Sequence, residues 1–173
     1  MIKRLLNKWA LFLAIGILGL ARLFIFPSGS VYAQDSTPGE NLDRRLENGY
    51  TRLQIANENL QVRLDRTAEI IAKGEEWIAK LQADGVDTTV LEEALAAYEA
   101  SVAEAQQLAD SGSQILADHA GFDDSGSVTD RQEAISTLRD AGRNLRDSHR
   151  TLRDASIDLR RVVADFRREH RGN

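Results

Sequence analysis

Leucine returns every seven residues through two long stretches of this chain, and a seven-residue apolar period admits few folds. In the first stretch Leu46, Leu53, Leu60, Thr67, Gly74 and Leu81 form one series, with Tyr50, Asn57, Leu64, Ile71 and Ile78 interleaved. In the second, Leu138-Arg139-Asp140, Leu145-Arg146-Asp147, Leu152-Arg153-Asp154 and Leu159-Arg160-Arg161 recur before Phe166-Arg167-Arg168 closes the run. Alternating steps of three and four keep one stripe of a helix against a partner helix, which is the seam of a left-handed coiled coil. A strand would need a period of two. Between these stretches lie Leu91, Tyr98, Ala105 and Gly112, with Leu95, Val102, Ala109 and Leu116 interleaved. The pattern predicts an all-α fold, three long helices in an antiparallel coiled-coil bundle. A composition of 6% aromatic and 28% charged residues agrees with helices rather than a sheet sandwich. Asn57 lies in the seam, where a lone Asn serves to set register.

Helix 1 is expected over 41–84, helix 2 over 88–120 and helix 3 over 129–170. Gly85 can take a left-handed conformation, so that Val86 folds back on the last turn of helix 1. Thr89 and Glu92 read as a capping box that opens helix 2. Gly121 and Phe122 repeat the glycine-then-apolar stop, and Thr129 with Gln132 reads as a second box. Ala141, Gly142, Ser148, His149, Ala155 and Ser156 flank the leucines of helix 3 with mostly small side chains, so that face should be buried.

The first 33 residues read as a signal peptide, not as part of the fold. Lys3, Arg4 and Lys8 make a positive start, Trp9 to Leu20 is an apolar run, and Pro27 to Ser30 breaks it. Val31-Tyr32-Ala33 suits cleavage before Gln34, and 34–40 reads as a flexible linker. The competing reading is an uncleaved anchor over Trp9 to Phe26, which would bury Arg22. A membrane association is expected only in that case. Removing 1–33 leaves 18 basic against 27 acidic residues, a net charge of −9. An acidic, exported chain is a poor nucleic-acid binder, because phosphates need a positive surface. The address is the periplasm, the cell surface or the medium. With no cysteine there is no disulfide framework and no thiolate metal site.

Charge differs between helices. Residues 88–120 hold six acids and no Lys or Arg, whereas 131–173 hold eleven Arg against seven acids. Heptad labels put Glu92 and Glu99 opposite Arg146, Arg153 and Arg160, and the sequence predicts inter-helix charge pairs among them. Helix 2 is also the shortest, so the flanking helices are expected to overhang by roughly 15–20 Å at opposite ends, at 1.5 Å per residue. Leu46 and Tyr50 on one overhang, and Val162, Val163 and Phe166 on the other, are the candidate interaction residues, since apolar seams without an internal partner find one outside.

Candidate chemistry is sparse. Gly126 and Val128 match the sixth and eighth positions of a calcium loop, making Asp123, Asp124 and Asp130 weak metal candidates. Gly121 and Gln132 then stand at the first and twelfth positions, where carboxylates are needed. The three carboxylates are equally explained as turn formers and as negative charge beside a helix N-terminus. His119, His149 and His170 share no i, i+4 face with another ligand, so no zinc site and no cofactor are expected. No nucleophile–base constellation stands out, and no enzyme activity is expected.

The helix stop at Ala83-Asp84-Gly85, the loop from Gly121 to Asp130 and the Leu-Arg-Asp helix together resemble a group of small exported bacterial helical proteins. That resemblance brings no activity with it. A coarser likeness is to the Spy-like periplasmic chaperones, whose Leu-Thr-x-x-Gln signature is absent here. Two roles follow as expectations: an envelope scaffold that binds a protein partner or itself as a homo-oligomer, or a Spy-like holdase for unfolded clients. A calcium-responsive module is the third.

Overall fold

The structure, a computed structural model, describes residues 38–170. The expected signal peptide, its cleavage site and linker residues 34–37 lie outside the described residues. Three helices make up the rest: α1 over Pro38–Ala83, α2 over Thr89–Asp118 and α3 over Arg131–Glu169. Among the described residues the sole β feature is an isolated bridge between Phe122 and Val128.

α1 begins at Pro38, so residues 38–40 are helical and not linker. Proline suits a first helical position because that N–H has no helical acceptor and its φ is already set. Glu40 adds negative charge in the first turn, where it meets the positive end of the helix dipole. At the other end Gly85 takes φ +76. Its amide donates to the Gln82 carbonyl at 2.9 Å, and the Val86 amide donates to the Leu81 carbonyl at 3.0 Å. These are the paired bonds of a Schellman stop. Val86 packs against the apolar cluster containing Leu81.

The capping boxes need correction. Thr88, not Thr89, is the N-cap of α2, and its side chain makes no capping bond. The Thr88 hydroxyl donates to Glu92 Oε1 at 2.6 Å, while Asp87 Oδ1 accepts from the Thr89 amide at 3.0 Å. For α3 the N-cap is Asp130, not Thr129. Its carboxylate accepts from the amides of Gln132 at 2.8 Å and Glu133 at 2.9 Å. In both places an aspartate close to the expected threonine takes the orphan amides, since an anion is the stronger acceptor beside a helix N-terminus. α2 ends at Asp118, two residues early, with His119 in the left-handed region at φ 38. Gly121 follows at φ +83, and a Cβ there would lie 2.2 Å from the Ala134 amide nitrogen. No other residue fits.

Cross-helix contacts give the direction of travel. Between α1 and α2, Tyr50 meets Leu116, Asn57 meets Ser113, Gly74 meets Leu95 and Gln82 meets Glu92. Numbers rise on one helix as they fall on the other. The same holds between α2 and α3, where Ala105 meets Ser148 and Gly112 meets Leu145. Between α1 and α3 they rise together: Asp43 with Arg131, Gly49 with Leu138, Arg63 with His149, Trp77 with Phe166. Two reversals return the third helix to the direction of the first, so α1 and α3 lie level.

The expected overhangs at opposite ends are therefore absent. Leu46, Tyr50, Val163 and Phe166 are all buried within the chain, and Val162 packs partly buried beside them. Residues 119–130 make up the length that α2 lacks. Phe122 from that loop stacks on Tyr50 with ring centroids 4.4 Å apart. The Tyr50 hydroxyl donates to the Leu116 carbonyl at 2.7 Å. At the other end the Phe166 ring meets Trp77 edge-on at 5.9 Å. Two apolar clusters thus fill the bundle, one around Tyr50 and Phe122, the other around Trp77 and Phe166.

Candidate interaction surfaces

With the apolar seams spent inside, the outer faces are mostly polar, with Ile55, Val62, Val90 and Ile157 among the exposed apolar residues. The interior face between α1 and α2 carries a short polar chain. The Ser113 hydroxyl donates to Asn57 Oδ1 at 2.8 Å, and Gln61 Nε2 lies 3.4 Å from the same hydroxyl. Gln106 Nε2 reaches Gln61 Oε1 at 3.4 Å. The seam Asn57 is thus met by one particular serine, which would be lost on a shift of register.

Among the described residues no ion pair joins Glu92 or Glu99 to Arg146 or Arg153. Glu92 accepts from Gln82 Nε2 at 2.6 Å, and Glu92 and Glu99 line a shallow crevice with Glu75, Ile78 and Gln82 of α1. Arg153 pairs with its neighbour Asp154 at 2.8 Å, and Arg160 lies near the Tyr98 hydroxyl. The reason is geometric. In a three-helix bundle each helix spends one flank on each neighbour. α2 turns its Glu92 flank to α1, and α3 turns its Ser148 flank to α2, so the arginine flank of α3 points toward α1.

The calcium candidates are likewise engaged elsewhere. Asp123 Oδ1 accepts from the Ser125 amide, the Ser125 hydroxyl and the Ser127 amide, at 2.9, 2.7 and 2.9 Å. These bonds, the Ser125 hydroxyl first, lower its pKa. Asp130 caps α3, and Asp124 lies 3.6 Å from His119 Nε2. Among the described residues no group of three or more His, Asp or Glu converges as a metal site.

A different arrangement emerges on the outside. In α1 the residues just before the seam positions Leu46, Leu53, Thr67, Gly74 and Leu81 are Arg45, Arg52, Arg66, Lys73 and Lys80. In α3 the residues just after the seam leucines are arginines. Gly49, Arg63 and Trp77 face α3, and the α1 basic row borders that same flank. The two rows therefore rim one groove, between two helices running the same way. Within it Arg63 Nη1 lies 3.3 Å from His149 Nε2. Burial, then Arg63 and Arg153, push the His149 pKa below its ordinary value. Burial, then Arg66, lower that of Arg63.

The far side is the reverse. α2 exposes Glu93, Glu99, Glu104, Asp110 and Asp118 with Ala96, Ala97, Ala100 and Ala103 between them. No Lys or Arg lies on this helix, and none of its carboxylates is in an ion pair among the described residues. The row in α1 was readable from the sequence at its seven-residue spacing. Its meaning was not, because it depends on α3 lying beside it.

No family model, no curated protein and no solved structure matches this chain.

Proposed function

We propose that this protein is a non-enzymatic, exported scaffold of the bacterial cell envelope, an antiparallel coiled-coil bundle that works by binding other protein surfaces. The observation that carries the reading is the sorting of charge around the bundle, a basic groove on one side and an acidic helix on the other. Sorted charge selects partners and orientation and speeds encounter more than it adds affinity. α1, at 46 residues, is about 69 Å long at 1.5 Å per residue. Packing along that length makes a stiff rod with long side faces. No metal, cofactor or nucleic acid is needed for this role.

The test uses the protein recovered from the envelope fraction of a bacterium that exports it, crosslinked in place and resolved by mass. A discrete complex, homomeric or mixed, is the expected result. Recovery solely as a 19.2 kDa or shorter monomer would overturn the scaffold reading.

One observation favours a second role, the holdase. Ile55 and Val62 sit one heptad apart on the outer face of α1, 49% and 50% exposed. A client chain could rest on that pair between flanking charges. Suppression of a model client's aggregation at near-stoichiometric ratios supports it, and no effect at tenfold excess removes it.

A further inference from the structure

We infer that the partner of the basic α1–α3 groove is a second copy of this chain, presenting its acidic α2. The inference rests on the scaffold reading and names its surface. The groove is rimmed by Arg52 and Arg66 from α1 and by Arg139 and Arg146 from α3, all exposed. None of these four is in an ion pair among the described residues. Between the rims, burial first and then the Arg66 charge lower the Arg63 pKa, and burial first and then Arg63 and Arg153 lower that of His149.

The opposite side supplies what the groove lacks. α2 is the ridge that the other two helices leave behind them, with alanines exposed at 96, 97, 100 and 103 and carboxylates set among Gln107, Ser111, Gln114 and Ala117 beyond them. Small side chains let a ridge settle deeply between two helices, and its uncompensated anions would then lie among guanidinium groups that pair with carboxylates bidentately. The spacing agrees. Glu104 and Asp118 are two heptads apart, as are Arg52 and Arg66, so each pair spans about 21 Å at 1.5 Å per residue. Helices laid along one another can therefore match both charges at once. Asp110 lies between the two carboxylates, and the α3 arginines line the opposite wall.

The two faces lie on opposite sides of one molecule, so the contact is heterologous. Copy after copy can add without closing a two-fold pair, which builds an open row of rods and not a dimer. The interaction is one of exposed charges and is screened by salt, since the Debye length falls from about 30 Å at 0.01 M to about 3 Å at 1 M.

Two charge-reversed variants of the full chain test this, made in a secreting host: Glu104→Lys with Asp118→Lys, and Arg52→Glu with Arg66→Glu. Mass is followed by light scattering in 20 mM and 500 mM salt. The wild type is expected to grow in mass with concentration at low salt and to fall to monomer at high salt. Each variant alone stays monomeric, with unchanged helicity by circular dichroism. An equimolar mixture regains association, because the reversed α2 of one now fits the reversed groove of the other. A monomeric wild type at low salt, association indifferent to salt, or a mixture that stays monomeric overturns the inference. Vesicles of anionic lipid form a parallel arm: wild type that sediments with them and never with itself makes the groove a membrane surface instead. If native complexes contain other proteins but a single copy of this one, the scaffold reading stands and the self-docking falls.

Discussion

His149 shows how much of a residue's behaviour comes from across the groove. It sits half-buried on the α3 seam, with Arg63 Nη1 3.3 Å from its Nε2. Burial is the largest cause of its lowered pKa, Arg63 and Arg153 follow, and Asp154 opposes them. A histidine whose folded pKa lies below the unfolded 6.5 binds fewer protons folded than unfolded in the window between the two values. Stability therefore rises with pH through that window and is lost as pH falls below about 6.5. Urea denaturation at pH 7 and pH 5 should show the wild type weaker at pH 5, with His149→Gln losing less. Equal losses in the two proteins would assign the acid sensitivity elsewhere. Periodicity placed His149 on a seam. It could not supply Arg63, 86 positions away, because a cross-helix neighbour is set by how two helices align.

At the scale of the element, the turns were legible to within a residue or two and their chemistry was not. Gly85 was visible because few residues other than glycine tolerate φ +76 at a helix end. The caps were displaced: Asp130 and Asp87 do the work expected of Thr129 and Thr89. Both aspartates are plain in the sequence, and a carboxylate two positions before an amide competes better for it than the neighbouring threonine hydroxyl. Asp130→Ala should cost about 1 kcal/mol, the usual value for an N-cap. Thr129→Ala should cost less than half as much, both read from urea midpoints at constant slope. Equal costs would return the cap to Thr129. Small residues at the α2–α3 contact were also readable. Ala105, Ala109, Ala141 and Ser148 are fully buried, and the Ser148 hydroxyl donates to the Ala105 carbonyl at 2.6 Å, a distance available only where two backbones approach closely.

For the whole molecule, the aromatic pairs at the two ends decide whether the bundle is closed or sticky. Tyr50 with Phe122, and Trp77 with Phe166, seal the ends from within. Truncating Tyr50 or Phe166 to alanine should then cost about 3–5 kcal/mol, the range for a buried aromatic ring. Melting followed by circular dichroism should fall sharply, while the mass of the folded fraction is unchanged. An unchanged melt with a lower mass would make these rings an interface between copies. Among the described residues no helix is long and apolar enough to cross a membrane.

The seven-residue period decided the helices, their number and the side each buries, because a stripe of apolar residues at that spacing is a local property of one helix. The left-handed glycines and the acidic character of α2 were equally local. Which helices lie level, which flank meets which neighbour and what fills the end of the bundle were decided by tertiary structure alone. They depend on the chain reversing twice and on a twelve-residue loop, 119–130, folding Phe122 onto Tyr50. For the same reason the sequence displayed two rows of basic residues 86 to 89 positions apart. Only the side-by-side packing of α1 and α3, contacting at those separations, turned them into one groove.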